Sequence, residues 1–228
     1  LWVGTRYGLN RYDGYNFKTY FHEPSDSNSI GSNYIITLHF DSHNRLWVGT
    51  FGEGLYSYDP ENDQFKSWEI KSEISNSQSG RFVSTIQEDQ HGRIWVGTMH
   101  QGLFILEPET GSVQTFKSFS EFDESITDTY ISALTAGPDD TMWIGTSYQG
   151  LFRYDLKDNN LKRYYPYSEN PDHRISEFIR GMTFDRNQPD ILWVATFYWG
   201  LSKFNLKEDR IISFEKNQYS ENRVSIDF

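Results

Sequence analysis

The sequence contains no cysteine, which removes a disulfide framework, a thiol nucleophile and any Cys-ligated metal site. The redox compartment stays open. Basic residues are scarce: 21 Lys and Arg against 32 Asp and Glu give a formal net charge of −11. No Lys/Arg cluster stands out. An acidic surface of this kind repels phosphate backbones and anionic lipid, so no nucleic acid is expected as a partner. No apolar run approaches the ~18 residues of a membrane-spanning helix. The six histidines (22, 39, 43, 91, 100 and 173) show no ligand spacing, so no metal and no cofactor is expected. There is no initiating Met and no secretory leader, and the chain begins inside a motif that recurs later. It reads as a piece excised from a longer protein.

Aromatic residues, by contrast, are plentiful: 15 Tyr, 17 Phe and 7 Trp make up 17% of the chain. Their arrangement is periodic. "LWVGT" 1–5 returns as "LWVGT" 46–50, "IWVGT" 94–98, "MWIGT" 142–146 and "LWVAT" 192–196. Trp2, Trp47, Trp95, Trp143 and Trp193 are therefore 45, 48, 48 and 50 residues apart. A period in that range signals a repeat architecture.

One copy, residues 82–117, shows what the repeat folds into. "FVSTIQ" is β-branched and aromatic, as a strand requires, and "EDQHGR" carries the Asp and Gly of a tight hairpin. "RIWVGT" is a second strand, "MHQG" a turn, "GLFILE" a third strand, "PETGS" a turn and "VQTFK" a fourth strand. The pattern predicts four short antiparallel strands forming a small twisted sheet with two faces to bury. Radial stacking of copies buries them, and that is a β-propeller. Boundaries fall near 1–33, 34–81, 82–129, 130–177 and 178–223, with "VSIDF" 224–228 as the first strand of a further or split blade. The expectation is an all-β, single β-propeller of four-stranded antiparallel blades, either a closed five-bladed ring or part of a seven-bladed one. Each Trp serves as a wedge between blades, and the Gly-Thr after it ends the strand. Loss of such a Trp should cost ~3–5 kcal/mol.

An Asp/Gly turn, then L-W-V-G-T, a short turn, G-L and Y-D resembles the two-component regulator propeller repeat. The resemblance runs through all five copies, and "HEPSDSNSIGSNYI" 22–35 and "DESITDTYI" 123–131 resemble the family's approach to its first strand. Departures are a shorter turn in copy 1 ("TRYG"), "GPDD" in copy 4, and Ala195 with the insertion "NQPD" in copy 5. The resemblance implies the extracytoplasmic sensing region of a hybrid two-component histidine kinase. Such regions are common in gut bacteria that respond to polysaccharide fragments. It also implies further propeller blades and kinase parts in the parent chain, a periplasmic location and a seven-bladed parent.

The acidic residues read mostly as turn-formers. Asp13, Asp59 and Asp155 end third strands, and Asp41, Asp89 and Asp185 begin hairpins. A glycosidase needs two carboxylates ~5–10 Å apart. Glu53, Glu177 and Glu221 fall on one face, but nothing singles out a pair. The stronger signal is where the repeats disagree. The second-to-third-strand turns read Arg6-Tyr7, Phe51-Gly52-Glu53, Met99-His100-Gln101, Ser147-Tyr148-Gln149 and Phe197-Tyr198-Trp199. Tyr34, Phe82, Tyr130 and Phe178 open the first strands at the same end, with Arg81, Arg180 and Arg223 close by. Stacking faces beside amides and guanidinium groups suit a sugar. Tyr7, Glu53, His100, Gln101, Tyr148, Gln149, Arg180, Tyr198 and Trp199 are accordingly the candidate ligand-binding residues, with packing between neighbouring loops as the competing role. The leading functional expectation is a non-catalytic sensor of an oligosaccharide. The alternatives are a structural or interaction propeller that forms a homodimer, and a carbohydrate-active enzyme.

Overall fold

A computed structural model describes residues 1–70, 82–116, 126 and 129–214. The chain is all-β, and its repeat is a propeller blade, an antiparallel meander whose strands pair in chain order. The first sheet contains β1 (Trp2–Thr5), β2 (Gly8–Tyr12) and β3 (Phe17–Tyr20). The second contains β4 (Ile35–Phe40), β5 (Leu46–Thr50), β6 (Leu55–Asp59) and β7 (Gln64–Trp68). The third contains β8 (Val83–Glu88), β9 (Ile94–Thr98), β10 (Leu103–Glu107) and β11 (Ser112–Thr115). The fourth contains β12 (Ile131–Gly137), β13 (Thr141–Thr146), β14 (Leu151–Asp155) and β15 (Asn160–Tyr164). A 3₁₀ turn, Pro171–His173, precedes the fifth, made of β16 (Ile179–Phe184), β17 (Ile191–Thr196), β18 (Leu201–Asn205) and β19 (Arg210–Phe214). The expected strand 224–228, with Arg81, Glu221 and Arg223, lies outside the described residues.

The chain falls into two compact units, Leu1–Lys117 with Ile126–Ile131, and Ser118–Ser125 with Ser132–Phe228. Within each, the core lies between successive sheets. In the first unit Trp47 is fully buried among Leu55, Trp68, Val83, Ile86 and Val96, so the Trp of the second sheet is covered by the third. In the second unit Trp143 is fully buried among Ile179, Leu192, Val194 and Phe204 of the following sheet. Trp95 is also fully buried, whereas Trp2 and Trp193 are half-buried.

The Gly of W-V-G-T does something other than end its strand. Gly49 pairs with Thr37 on one side and Leu55 on the other, well inside the sheet. A Cβ on Gly4, Gly49, Gly97 or Gly145 would lie 2.6–2.7 Å from a methyl of Ile35, Val83, Ile131 or Ile179 respectively. Glycine is there because the first residue of the next first strand presses onto bare backbone. Gly102 has another duty: its φ of +66° is the turn conformation that favours glycine.

The hairpin aspartates also do more than turn the chain. In Asp41 and Asp89, Oδ1 accepts the backbone N–H groups two and four residues on, at 2.8–3.0 Å. Their other oxygen accepts the indole N–H of Trp47 at 2.9 Å and of Trp95 at 2.8 Å. Asp185 does the same for Trp193 at 3.1 Å across the longer turn. At the third-to-fourth-strand hairpins, Asp63 accepts bonds from Lys18, Tyr20 and Tyr58, and Asp209 from Lys162, Tyr164 and His173. These carboxylates tie one sheet's outer strand to the next sheet's hairpin.

Candidate functional site

Each second-to-third-strand turn is locked by the threonine that closes the motif. The Oγ1 of Thr50, Thr98, Thr146 and Thr196 donates to the carbonyl of Gly54, Gly102, Gly150 and Gly200 at 2.9 Å. The same oxygen accepts the N–H of Gln101, Gln149 and Trp199 at 2.9, 2.9 and 3.1 Å. The shorter turn of the first copy keeps both bonds, through Thr5, Gly8 and Tyr7. With the backbone fixed this way, the two or three residues inside the turn are free to differ.

They project unequally. Tyr7, Tyr148 and Tyr198 stand 82%, 67% and 66% exposed, and Glu53, His100 and Arg180 are exposed as well. Gln149 and Trp199 are half-buried. Gln101 lies beneath the surface at 4% exposure, so its amide faces protein rather than solvent.

Rings from neighbouring sheets meet at this end. In the first unit Arg6 lies over Tyr34 at 5.2 Å, Tyr34 stacks on Phe51 at 4.9 Å, and Phe51 meets Phe82 edge-on at 4.6 Å. Phe82 then approaches His100 at 6.0 Å. In the second unit Phe178 meets Tyr148 at 5.2 Å and Tyr198 at 5.1 Å, both edge-on, and Tyr198 meets Phe197 at 4.7 Å. Edge-to-face pairs of this kind hold rings at fixed angles and leave faces open. The strand-opening aromatics Tyr34, Phe82 and Phe178 therefore do pack between loops, and in doing so they prop the turn residues outward. Arg180 joins them through a bulge in β16 between Ile179 and Gly181, which puts its guanidinium 4.8 Å over Phe197. The structure thus brings Tyr148, Tyr198 and Arg180 into one patch. Glu53 and His100 belong to the separate row of the first unit, and Tyr7 has no ring partner in that row.

The carboxylates of the third-to-fourth-strand hairpins are structural. Burial alone would raise the Asp63 carboxyl, but bonds from Lys18, Tyr58 and Tyr20 outweigh it and hold the group well below the usual carboxylate range. Burial likewise comes first in pushing the Tyr20 and Tyr164 hydroxyls far up. Among the described residues no three His, Asp or Glu side chains gather to hold a metal ion. The bonds from indole to Asp have one trace in the sequence, the spacing by which Asp41 and Asp89 each stand six residues before their Trp. Arg163, outside the candidate residues, lies alone in a column of serines and threonines.

Two stretches, residues 29–52 and 77–100, match the family model described as the two component regulator propeller. A histidine kinase, P4, of Formosa agariphila is 63% identical over 30 residues, which are 13% of this chain and 2% of that protein. The extracellular domain of a putative hybrid two component system of B. thetaiotaomicron superposes with a TM-score of 0.72 at 25% identity, covering 89% of this chain and 25% of that one. A catalytically inactive variant of virginiamycin B lyase from Staphylococcus aureus shares the fold alone, with a TM-score of 0.67 at 14% identity over 94% of this chain and 65% of that one. The two matched stretches are similar to the two-component regulator propeller repeat, and the chain spans less than a third of the length of the two-component relatives it matches.

Proposed function

We propose that this chain is a non-catalytic sensing propeller from the extracytoplasmic, periplasmic part of a two-component sensor. It recognises an oligosaccharide released from a polysaccharide and passes the signal to a histidine kinase in the same parent protein. The observation that carries this reading is the patch of Tyr148, Phe178, Tyr198, Phe197 and Arg180, in which the half-buried Phe178 holds the tyrosine rings at fixed angles while Tyr148, Phe197 and Tyr198 remain exposed. Flat apolar faces suit the C–H surfaces of a pyranose, and a guanidinium beside them suits its hydroxyls. The likeness to an extracellular domain of a two-component system supports the setting.

Isothermal titration against a panel of polysaccharide-derived oligosaccharides tests the reading, with product analysis of the same mixtures. Saturable binding without turnover is the expected result. Turnover would make the chain a carbohydrate-active enzyme. Concentration-dependent dimerisation with no glycan binding would make it an interaction module.

A further inference from the structure

Arg163 is out of place in its own repeat. In the register of third against fourth strands, Asn10 faces Thr19, Tyr56 faces Ser67, Phe104 faces Thr115 and Ser202 faces Ser213. In the fourth sheet Phe152 faces Arg163. A small hydroxyl in four copies has become a guanidinium in one.

Among the described residues that guanidinium forms no ion pair. Four other cations of its unit do find carboxylates: Lys157 with Asp140, Lys162 with Asp209, Lys207 with Asp190 and Arg210 with Asp172. Arg163 is half-buried, with its Cζ 5.5 Å from the ring of Phe152 and 4.8 Å from that of Tyr165. Burial, partly opposed by Tyr165, pulls its pKa below the usual arginine value. One nitrogen is spent: Nε donates to the carbonyl of Gln149 at 2.8 Å. Among the described residues the two terminal nitrogens, the fork that suits an anion, make no hydrogen bond.

The turn it touches is also unsatisfied. Gln149 Oε1 and Ser147 Oγ are buried without a hydrogen-bond partner, and Ser147 is 7% exposed. Ser147 also breaks its column. Phe51, Met99 and Phe197 follow the motif threonine in other copies, each giving its N–H to the residue that opens the first strand. A hydroxyl in place of a large side chain, with no protein partner, leaves an unmade bond. Buried polar groups are seldom left so in a finished site.

The geometry points to a subsite for an acidic sugar at Arg163 and the 147–149 turn, with the sugar's carboxylate or sulfate ester on the Arg163 fork and its hydroxyls on Gln149 Oε1 and Ser147 Oγ. Tyr148, 67% exposed over the same turn, supplies the stacking face. The identity of the ligand as a sugar rests on the proposed sensing function; the anion site does not. With a net charge of −11 the chain has little general attraction for anions, so the selectivity must come from this one fork.

The test uses the chain as it stands and its Arg163→Ser variant, which installs a residue type that two other sheets carry at this position. Unchanged melting in sodium chloride confirms that the variant folds, and Arg163→Lys, which keeps charge but loses the fork, serves as a second variant. Three probes are titrated at matched ionic strength: sodium sulfate, a galacturonate oligomer and a sulfated galactose oligomer, each oligomer set against its neutral counterpart. We expect the wild-type chain to bind at least one acidic oligomer about tenfold or more tighter than the neutral one. Arg163→Ser should close that gap while changing neutral affinity less than about twofold, with Arg163→Lys falling between. Which acidic oligomer gains identifies the group as carboxylate or sulfate. Equal responses of wild type and Arg163→Ser to all three probes would overturn the subsite, even if glycans bind. An Arg163-dependent response to sulfate alone, with no glycan bound, would keep the anion site and overturn the sensing function instead.

Discussion

The carboxylate of Asp89 accepts the indole N–H of Trp95 across 2.8 Å, inside the core. In the fourth sheet Gly137 stands where that aspartate would be, and Trp143 Nε1 is buried without a partner. The two sheets therefore contain the same wedge with and without its bond. Removing a buried partner costs about 1–3 kcal/mol. Trp95→Phe should thus destabilise the chain by about 1 kcal/mol more than Trp143→Phe, because only the first truncation breaks a bond. Urea unfolding of both variants measures the difference, and equal losses would show that the indole bond contributes nothing.

Gly49 makes the second prediction. Its missing Cβ would lie 2.5 Å from Thr37 Cγ2 and 2.6 Å from Val83 Cγ1, with a packed strand on either side. Gly49→Ala should cost about 1–3 kcal/mol through overpacking. Val83→Ala is itself destabilising, but the double variant should lose less than the sum of the two, since the second change vacates the space the first needs. Additive losses in the four-variant cycle would place the strain elsewhere. Ala195, at the same position of the fifth sheet, is exposed, and Ala195→Gly should leave stability almost unchanged.

Acid sensitivity should come from the two hairpin carboxylates. Asp63 and Asp209 are both held below the ordinary carboxylate pKa: burial pushes each up, and Lys18 or Lys162 with the tyrosines pulls each down further. The folded chain then holds fewer protons than the unfolded one near and below about pH 4, so stability rises with pH in that window. Going down in pH, the contribution is intact above the unfolded pKa and is lost as pH falls through the lower folded value. Replacing both residues by Asn should flatten the acid limb of the unfolding free energy. An unchanged slope would mean that other carboxylates govern it.

The period of Trp and the Asp/Gly turns made the sheets legible, because a repeat must satisfy the same packing problem at each copy. The same regularity hid what its individual letters do. Gly49 looked like a strand end, since a glycine chosen for close approach and one chosen for a turn are the same letter. Asp89 looked like a turn residue and is one, but its second oxygen serves a Trp six residues on, and only that spacing betrays it. In the candidate site, exposure separated residues that the sequence grouped: Gln101 is covered while Tyr148 and Tyr198 stand out, a difference set by neighbouring sheets. Arg163 needed the strand register to be seen as the exception in its column.

Tyr198 and Phe178 separate recognition from packing. Phe178 lies between the rings of Tyr148 and Tyr198, and Tyr198 projects from a turn whose backbone Thr196 already holds. Phe178→Ala should therefore lower both melting temperature and glycan affinity, because both tyrosines lose the edge that orients them. Tyr198→Ala should spare the melting temperature, since two-thirds of the side chain is already in water, yet lose roughly 1–3 kcal/mol of binding if a sugar covers the ring. Trp199, half-buried behind it, should fall between the two: Trp199→Ala should reduce affinity by a similar amount with a modest loss of stability. Calorimetry and thermal melts on the three variants give both coordinates. If Tyr198→Ala binds like the parent while Phe178→Ala and Trp199→Ala only melt earlier, the aromatic patch is inter-sheet packing that happens to reach the surface, and the ligand must sit elsewhere.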